Sequence, residues 1–439
     1  MRESLIARGE LVRLGKGREA RLRILANLVE GIRQPKKSKQ TDQQKKPVKD
    51  RNLLDKLPEC NEDLEKALFE CFLMAKRGKT KTMDEYKYDV YWKENQEKLV
   101  QDIIHRRWKP SSSKAFVTHR PVDREIFAAM FRDRIVHHLL YAIVAPWWEK
   151  RFIYDSYSCR RGKGTDFGVK RMQGMMVAAY TGGNRPGVTR AVSGKEFSLE
   201  IKGQRVYVIK GDLSGYFMSL SRRTLYKKVL WGLNKQFPEK GWIYELAKYL
   251  WREVIFDDPC TNARIAGTWL EWDNLPHNKS LFHQPVGRGI VIGNLTSQLL
   301  SNIMLNEFDW FMKREMKFKW YGRYVDDFFV IVRECEYEWA MSAIRNEVAG
   351  RLAEMGLKMH PKKLYVQEAR KGCPFLGRMV KPWVILPGKR YLKNMRSALE
   401  GYVEGAVSYD TMQSYIGMAQ HMAAYKPIKK VVDSLRADN

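Results

Sequence analysis

Residues 319–332, KWYGRYVDDFFVIV, set two adjacent aspartates, Asp326 and Asp327, inside a run of aromatic and β-branched side chains. Such runs favour strands, and aspartate tolerates turns, so the segment is predicted as two strands joined in a hairpin at Asp326–Asp327. Electrostatics makes this hairpin unusual. Like charges side by side repel, while the flanking apolar strands draw them toward the interior, where an ionised carboxylate is costly. A bound cation resolves both terms. A solvated turn is the plainer alternative, and an isolated pair would leave that choice open. A third carboxylate bears on it: Asp212 follows a second strand-like run, Val206–Ile209, in KGDLSGYF (210–217).

Charge points to a class of partner. The 439 residues carry 79 Lys+Arg against 50 Asp+Glu, a formal net charge of +29. A surface so positive attracts polyphosphate backbones, although ribosomal proteins, nucleases and membrane-surface proteins share the bias. The hydrophobic fraction of 44% is that of a globular protein and excludes disorder of the whole chain. Six scattered cysteines form no C-x-x-C pair that suggests structural zinc. No signal peptide opens the chain, and no apolar stretch reaches the roughly 18–20 residues of a membrane span. A reduced, soluble, intracellular protein is expected.

Along the chain, residues 1–33 show leucines at helical spacing among arginines, predicting a basic helix. Residues 34–51 are Lys/Gln-rich and predict a flexible linker. Helical patterning returns from Asp55 to Trp108, followed by a strand-like AFVTHRPVDREIF and a helical run from Phe131 to Trp148. Residues 237–283, rich in Asp, Asn and Pro beyond one helix, are taken as an insertion, and residues 388–439 as purely helical.

Between the acidic sites lies GRGIVIGNLTSQLLSNIMLNEFD (287–309), and FLG follows at 375–377. The ordered set D-x-x-x-x-F, G-x-x-x-S-Q opening a helix, Y-V-D-D and FLG resembles the palm of reverse transcriptases, the wider match running from about Lys109 to Lys426. The resemblance implies an α+β right-hand polymerase. Residues 1–54 would be a basic N-terminal helix and linker, 55–205 fingers, 206–386 palm with the 237–283 insertion, and 387–439 a helical thumb. It also implies two Mg²⁺ ions, with Mn²⁺ a possible substitute. Nucleotidyl transfer needs such ions about 3.5–4 Å apart, one activating the 3′-hydroxyl and one neutralising the triphosphate. Magnesium takes rigidly placed oxygen ligands, which carboxylates at the ends of adjacent strands supply.

Residue by residue, the resemblance makes Asp212, Asp326 and Asp327 catalytic. These three and Leu213 would ligate metal, with Asp327 the less essential carboxylate. Phe217 would be a steric gate against a 2′-hydroxyl, making dNTPs the substrate, and Tyr324 would lie against the primer end. Arg124 is the first choice for the triphosphate, because a guanidinium grips phosphate oxygens in a fork. Arg120, Arg132 and Arg134 are weaker choices, with structural salt bridges equally open. Arg160 and Lys163, in YSCRRGKGTDFG (157–168), would hold template or phosphate. Lys363, with Lys362 beside it, would protonate pyrophosphate, against the alternative of a solvated charge run. Phe375, Leu376 and Gly377 match the primer grip.

Most members carry Q-G-x-x-x-S-P where this chain has Ile292, Gly293, Asn294, Leu295, Thr296, Ser297 and Gln298. That form resembles the reverse transcriptases of diversity-generating retroelements, as do FRDRIVHHLL, YVDDFFV and SYIGMAQHMAAY (414–425). Ile292 offers the incoming nucleotide only an apolar surface, and loss of a good polar contact costs roughly 1–3 kcal/mol of discrimination. Low fidelity is expected. The family further implies template RNA, an RNA/cDNA duplex, a small basic oligomeric accessory protein and a bacterial or phage-encoded cytoplasmic enzyme. Neither a ribonuclease H nor an H-N-H nuclease segment is expected. A defence-type or retron-like reverse transcriptase and an idle maturase-like RNA-binding protein are the alternatives.

Overall fold

The structure, a computed structural model, describes residues 18–33, 54, 56–77, 82–119, 122–181 and 204–437. The predicted linker at 34–51, the first half of the basic N-terminal segment and Arg120 lie outside these residues. The fold is α+β, as expected. Helix α1 (Arg18–Arg33) comes first, then α2 (Asn61–Lys76), α3 (Met83–Val90) and α4 (Trp92–Ile104). Strands β1 (Lys114–Thr118) and β2 (Arg124–Ala128) form an antiparallel hairpin leading into α5 (Phe131–Glu149), and α6 (Thr165–Thr181) follows.

The centre is a four-stranded antiparallel sheet ordered β5-β6-β3-β7, made from β3 (Val206–Asp212), β5 (Trp320–Tyr324), β6 (Asp327–Arg333) and β7 (Tyr365–Glu368). Between β3 and β5 run α7 (Tyr216–Ser219), α8 (Arg222–Gln236), α9 (Trp242–Phe256), β4 (Arg264–Ile265), α10 (Trp269–Asp273) and α11 (Leu295–Trp310). The FFVIV run is continuously apolar because the sheet is covered on both faces. Phe328, Val330 and Val332 join a large core with α5, α8, α9 and α11, while Phe329 and Ile331 join a second core with α6. Period-two alternation therefore sorts one strand into two cores rather than into core and solvent.

Beyond the sheet, α12 (Tyr337–Ala343) and α13 (Ala349–Glu354) lead to β7, then to a small antiparallel sheet of β8 (Cys373–Phe375), β9 (Arg378–Val380) and β10 (Ile385–Pro387). Three helices finish the chain: α14 (Lys389–Glu404), α15 (Tyr409–Ala419) and α16 (Tyr425–Ala437). Helix α14 stops at Gly405, which takes the left-handed φ of 88° that ends helices. The Ser408 side chain accepts the Thr411 N–H to open α15.

Packing divides the chain differently from the expected boundaries in three places. Helix α6, placed with the fingers from sequence, shares its core with the central sheet. The 237–283 segment sends β4 to pair in parallel with β1, and Trp272 and Phe282 pack beside Phe127. Helix α1 is the largest departure. Its Leu22, Leu25 and Val29 are buried against Tyr391, Met395, Leu399, Met412, Ile416, Ile428 and Val432, so it completes a bundle with the last three helices. Among the described residues, no helix is long and apolar enough to cross a membrane.

Leu25 is fully buried in that bundle, so Leu25→Ala should cost roughly 2–5 kcal/mol of local stability. Hydrogen exchange should rise across 389–437 and stay unchanged in β3 and β6. Unaltered protection of those three helices would rule out α1 as a member of the bundle.

Candidate active site

The register of the central sheet brings the acidic residues together. Asp212, last in β3, is paired directly across from Asp327, first in β6, and Tyr324 faces Asp327 from β5. Asp326 occupies the two-residue turn between Tyr324 and Asp327, so the hairpin tip is Val325–Asp326 rather than the predicted Asp326–Asp327. Gly211 permits the close approach of β3 and β6. A Cβ there would meet the Phe328 ring at 2.4 Å. The Leu213 N–H then donates to the Asp326 carbonyl at 3.3 Å, closing the strand end onto the turn.

The turn is strained. Val325 has φ 55°, where a β-branched side chain is an outlier costing of order 1–3 kcal/mol. Tight hairpins of this kind usually place glycine at that position. Beneath it, the buried Arg323 guanidinium donates to the Val325 carbonyl at 2.8 Å and grips Asp309 at 2.7 and 2.8 Å.

Burial and the neighbouring Asp212 and Asp327 push the Asp326 carboxyl up to about 6. Burial also raises Asp327, opposed by Lys210, whose Nζ lies 3.5 Å from its carboxylate. Lys363 Nζ sits 2.5 Å from Asp212 Oδ2. A strap of chain delivers that lysine: the His360 N–H donates to the Asp212 carbonyl at 2.7 Å, and Ser214 N–H to that of Lys358 at 2.8 Å. Negative charge is thus concentrated at the strand ends, with cations drawn onto it from two sides.

The donor set suits a hard divalent cation, since Asp212, Asp326 and Asp327 present only oxygen. Among the described residues, no group of three or more His, Cys, Asp or Glu is gathered into a ready-made metal cage.

The other predicted residues lie on α7, the 287–294 loop, α11, β2 and the β8–β9 turn. Phe217 is partly buried in α7, its ring 5.4 Å from Tyr216. Its carbonyl accepts the Ile290 N–H at 3.1 Å, and the Ile292 carbonyl accepts the Phe127 N–H at 3.1 Å. The 287–294 loop is therefore stitched both to α7 and to β2. Gly293 is required there: at φ 125°, a Cβ would press on Ile126 and on the Phe127 carbonyl, both at 3.1 Å. Gln298 is exposed on the first turn of α11. Arg124 opens β2, exposed and without a hydrogen bond or ion pair to its guanidinium among the described residues, and its charge reaches Asp326. Phe375 is buried with its ring 5.2 Å from Phe329 under β6. Leu376 and Gly377, at φ 49° and 79°, make the tight turn between β8 and β9.

Other arginines are engaged inside the protein. Arg160 donates to the Glu149 carboxylate at 2.9 Å and to the Ile153 carbonyl at 2.5 Å, with its side chain 5% exposed. Its donors brace the 149–160 segment instead of facing a template, a correction to what the resemblance implied for Arg160. Arg132 pairs with Asp102 at 2.9 Å, and Arg134 donates to the Ala129 carbonyl at 2.9 Å. Lys163 lies 4.6 Å from the centre of the Tyr154 ring, and burial together with Arg160 lowers it to about 8. Three site residues escaped the sequence reasoning: Lys210, Arg323 and Asp309. The available signal was a cation inside an otherwise apolar strand, which burial makes costly unless it is paired.

A raised carboxyl implies linkage between stability and pH. Because Asp326 is lifted from 3.8 to about 6, its contribution is fully present below about pH 4 and lost as pH rises through about 6. In chelated protein, Asp326→Asn should therefore raise stability by roughly 1–3 kcal/mol at neutral pH and change it little at pH 4. Thermal unfolding at both pH values checks this; equal effects at the two would exclude the electrostatic origin.

Residues 123–380, more than half of the chain, match the family model described as reverse transcriptase (RNA-dependent DNA polymerase). Protein YkfC of Escherichia coli (strain K12) is 24% identical over 278 residues, covering 56% of this chain and 60% of that protein. The chain thus aligns with less than two thirds of that relative's length. With its acidic strand ends set in the matched region, the chain belongs to the reverse transcriptase (RNA-dependent DNA polymerase) family.

Proposed function

We propose that the protein is an RNA-directed DNA polymerase that copies a structured template RNA into error-prone cDNA for targeted gene diversification. The observation that carries the polymerase assignment is the convergence of Asp212 and Asp327 in register, with Asp326 in the adjoining turn. Asp212, Asp326, Asp327 and the Leu213 carbonyl would hold two Mg²⁺ ions, with Mn²⁺ as a substitute, which when bound supply an activated 3′-hydroxyl and a neutralised triphosphate. The protein's own groups do the positioning. Arg124 offers its exposed guanidinium to the triphosphate, and Lys363, its Nζ beside Asp212, would donate to the departing pyrophosphate. Phe217 closes the floor of the sugar site against a 2′-hydroxyl.

In this reading β1–β2 with α2–α5 form the fingers, the central sheet the palm, and α14–α16 the thumb. Template RNA, the RNA/cDNA duplex and dNTPs are the substrates, and a small basic accessory protein is the partner. Ile292 supports the diversifying assignment. It places a hydrocarbon where a glutamine would offer hydrogen bonds to the nucleotide, in a loop anchored to β2 through that same residue's carbonyl.

Asp212→Asn should reduce Mg²⁺-dependent dNTP incorporation on an RNA template to background while RNA affinity persists; retained synthesis would refute the catalytic assignment. Ile292→Gln should lower misincorporation by roughly tenfold, the worth of one good polar contact. Sequencing of the cDNA by template base measures this, and an unchanged error rate would place the control of fidelity elsewhere.

A further inference from the structure

The catalytic turn is held by a buried polar device. Arg323 lies two residues before Val325 on β5, and its side chain and that of Asp309 are 1% and 0% exposed. All its N–H groups have acceptors. Nε and Nη2 reach the two Asp309 oxygens at 2.8 and 2.7 Å, Nη1 the Val325 carbonyl at 2.8 Å, and Nη1 and Nη2 share Asn302 Oδ1 at 3.4 Å. Tyr321 donates to Asp309 at 2.6 Å, and the Asn302 amide donates to the Ser158 carbonyl at 2.9 Å. Asn302 and Asp309 stand two turns apart on one face of α11, so the guanidinium is fixed by a rigid helix rather than by a loop.

A buried ion pair of this kind is a poor source of stability, because apolar residues of similar volume often do as well. What they cannot do is donate to a carbonyl. Val325 takes a backbone conformation that its own side chain disfavours, and its carbonyl is the point at which a buried side chain grips the turn from beneath, beside the Leu213 N–H on the Asp326 carbonyl. Release of that grip would let Val325 relax, and Asp326, the next residue, would turn with it.

We propose that Arg323 is a positioning residue: oriented by Asp309 and Asn302, it clamps the Val325 carbonyl and keeps the strained turn aiming Asp326 at the reacting groups. Lysine cannot replace it, having a single point of charge and no planar fork. This inference rests on the polymerase assignment above.

The test is a double-mutant cycle between Arg323→Lys and Val325→Gly, read by single-turnover primer extension with an RNA template and by hydrogen exchange of chelated protein. Arg323→Lys should slow the chemical step on the order of 10²-fold, as misplacement of a catalytic group does, with dNTP KM changed by less than about threefold. Exchange should rise in the 319–332 segment and not in β3. Val325→Gly removes the side chain that resists the left-handed turn, so the double variant should be clearly faster than the product of the two single effects predicts. Multiplicative effects, a loss confined to KM, or unchanged exchange at the turn would each overturn the clamp. Should Arg323→Lys fail to fold, Tyr321→Phe, which loosens Asp309 and keeps the arginine, enters the same cycle with the same expectations. The exchange arm needs no catalysis, so an inactive wild-type protein with an Arg323-dependent turn would refute the polymerase assignment and leave the clamp standing.

Discussion

Mutual repulsion among three carboxylates at the end of a buried sheet is the constraint on which the rest of this structure depends. Asp212, Asp326 and Asp327 are brought together by strand register, and nothing in their own chemistry favours that proximity. The sheet must therefore be rigid enough to hold them. It is covered on both faces, by the large helical core on one side and by α6 on the other. Phe328 lying against Gly211 keeps β3 and β6 close at the point of greatest repulsion. The raised Asp326 carboxyl records the cost of the arrangement.

Cations are drawn onto that negative charge by separate elements, each with a structural reason to be there. Lys210 comes from β3 itself, Lys363 from a strap hydrogen-bonded to the Asp212 backbone, and Arg124 from the end of the β1–β2 hairpin. Lys210 pairs with Asp327 from within the sheet and the exposed Lys363 pairs with Asp212, whereas the Arg124 guanidinium is unengaged among the described residues. Arg323 is a fourth cation with a different task. It faces Asp309 and the Val325 carbonyl from below, completely buried, and meets the turn as a hydrogen-bond donor.

Two of the strained turns lie beside the central sheet. Val325 and Leu376 both have left-handed backbone conformations without being glycine, the first between β5 and β6, the second between β8 and β9. Phe329 and Phe375 tie these two hairpins together ring to ring. Local conformational cost persists only where surrounding packing over-determines it: Val325 packs against the large helical core and Leu376 against the second core.

The order of motifs, the acidic pair within an apolar hairpin and the strand ending at Asp212 were legible in the sequence because short-range pattern decides them: aromatic and β-branched runs, turn-tolerant residues and fixed spacing. The terminal helices were legible for the same reason. Which arginines face outward was not, since Arg160 and Arg124 look alike as letters and differ only in whether Glu149 and a backbone carbonyl lie within reach. Nor was the placement of α1, whose leucines advertised a buried face without naming what buries it; contacts across most of the chain length decided that. The pairing of Asp212 with Asp327 and the support of Val325 by Arg323 likewise belong to the tertiary structure. Register and burial are set by the packing of distant segments, and one-dimensional pattern carries no distances between them.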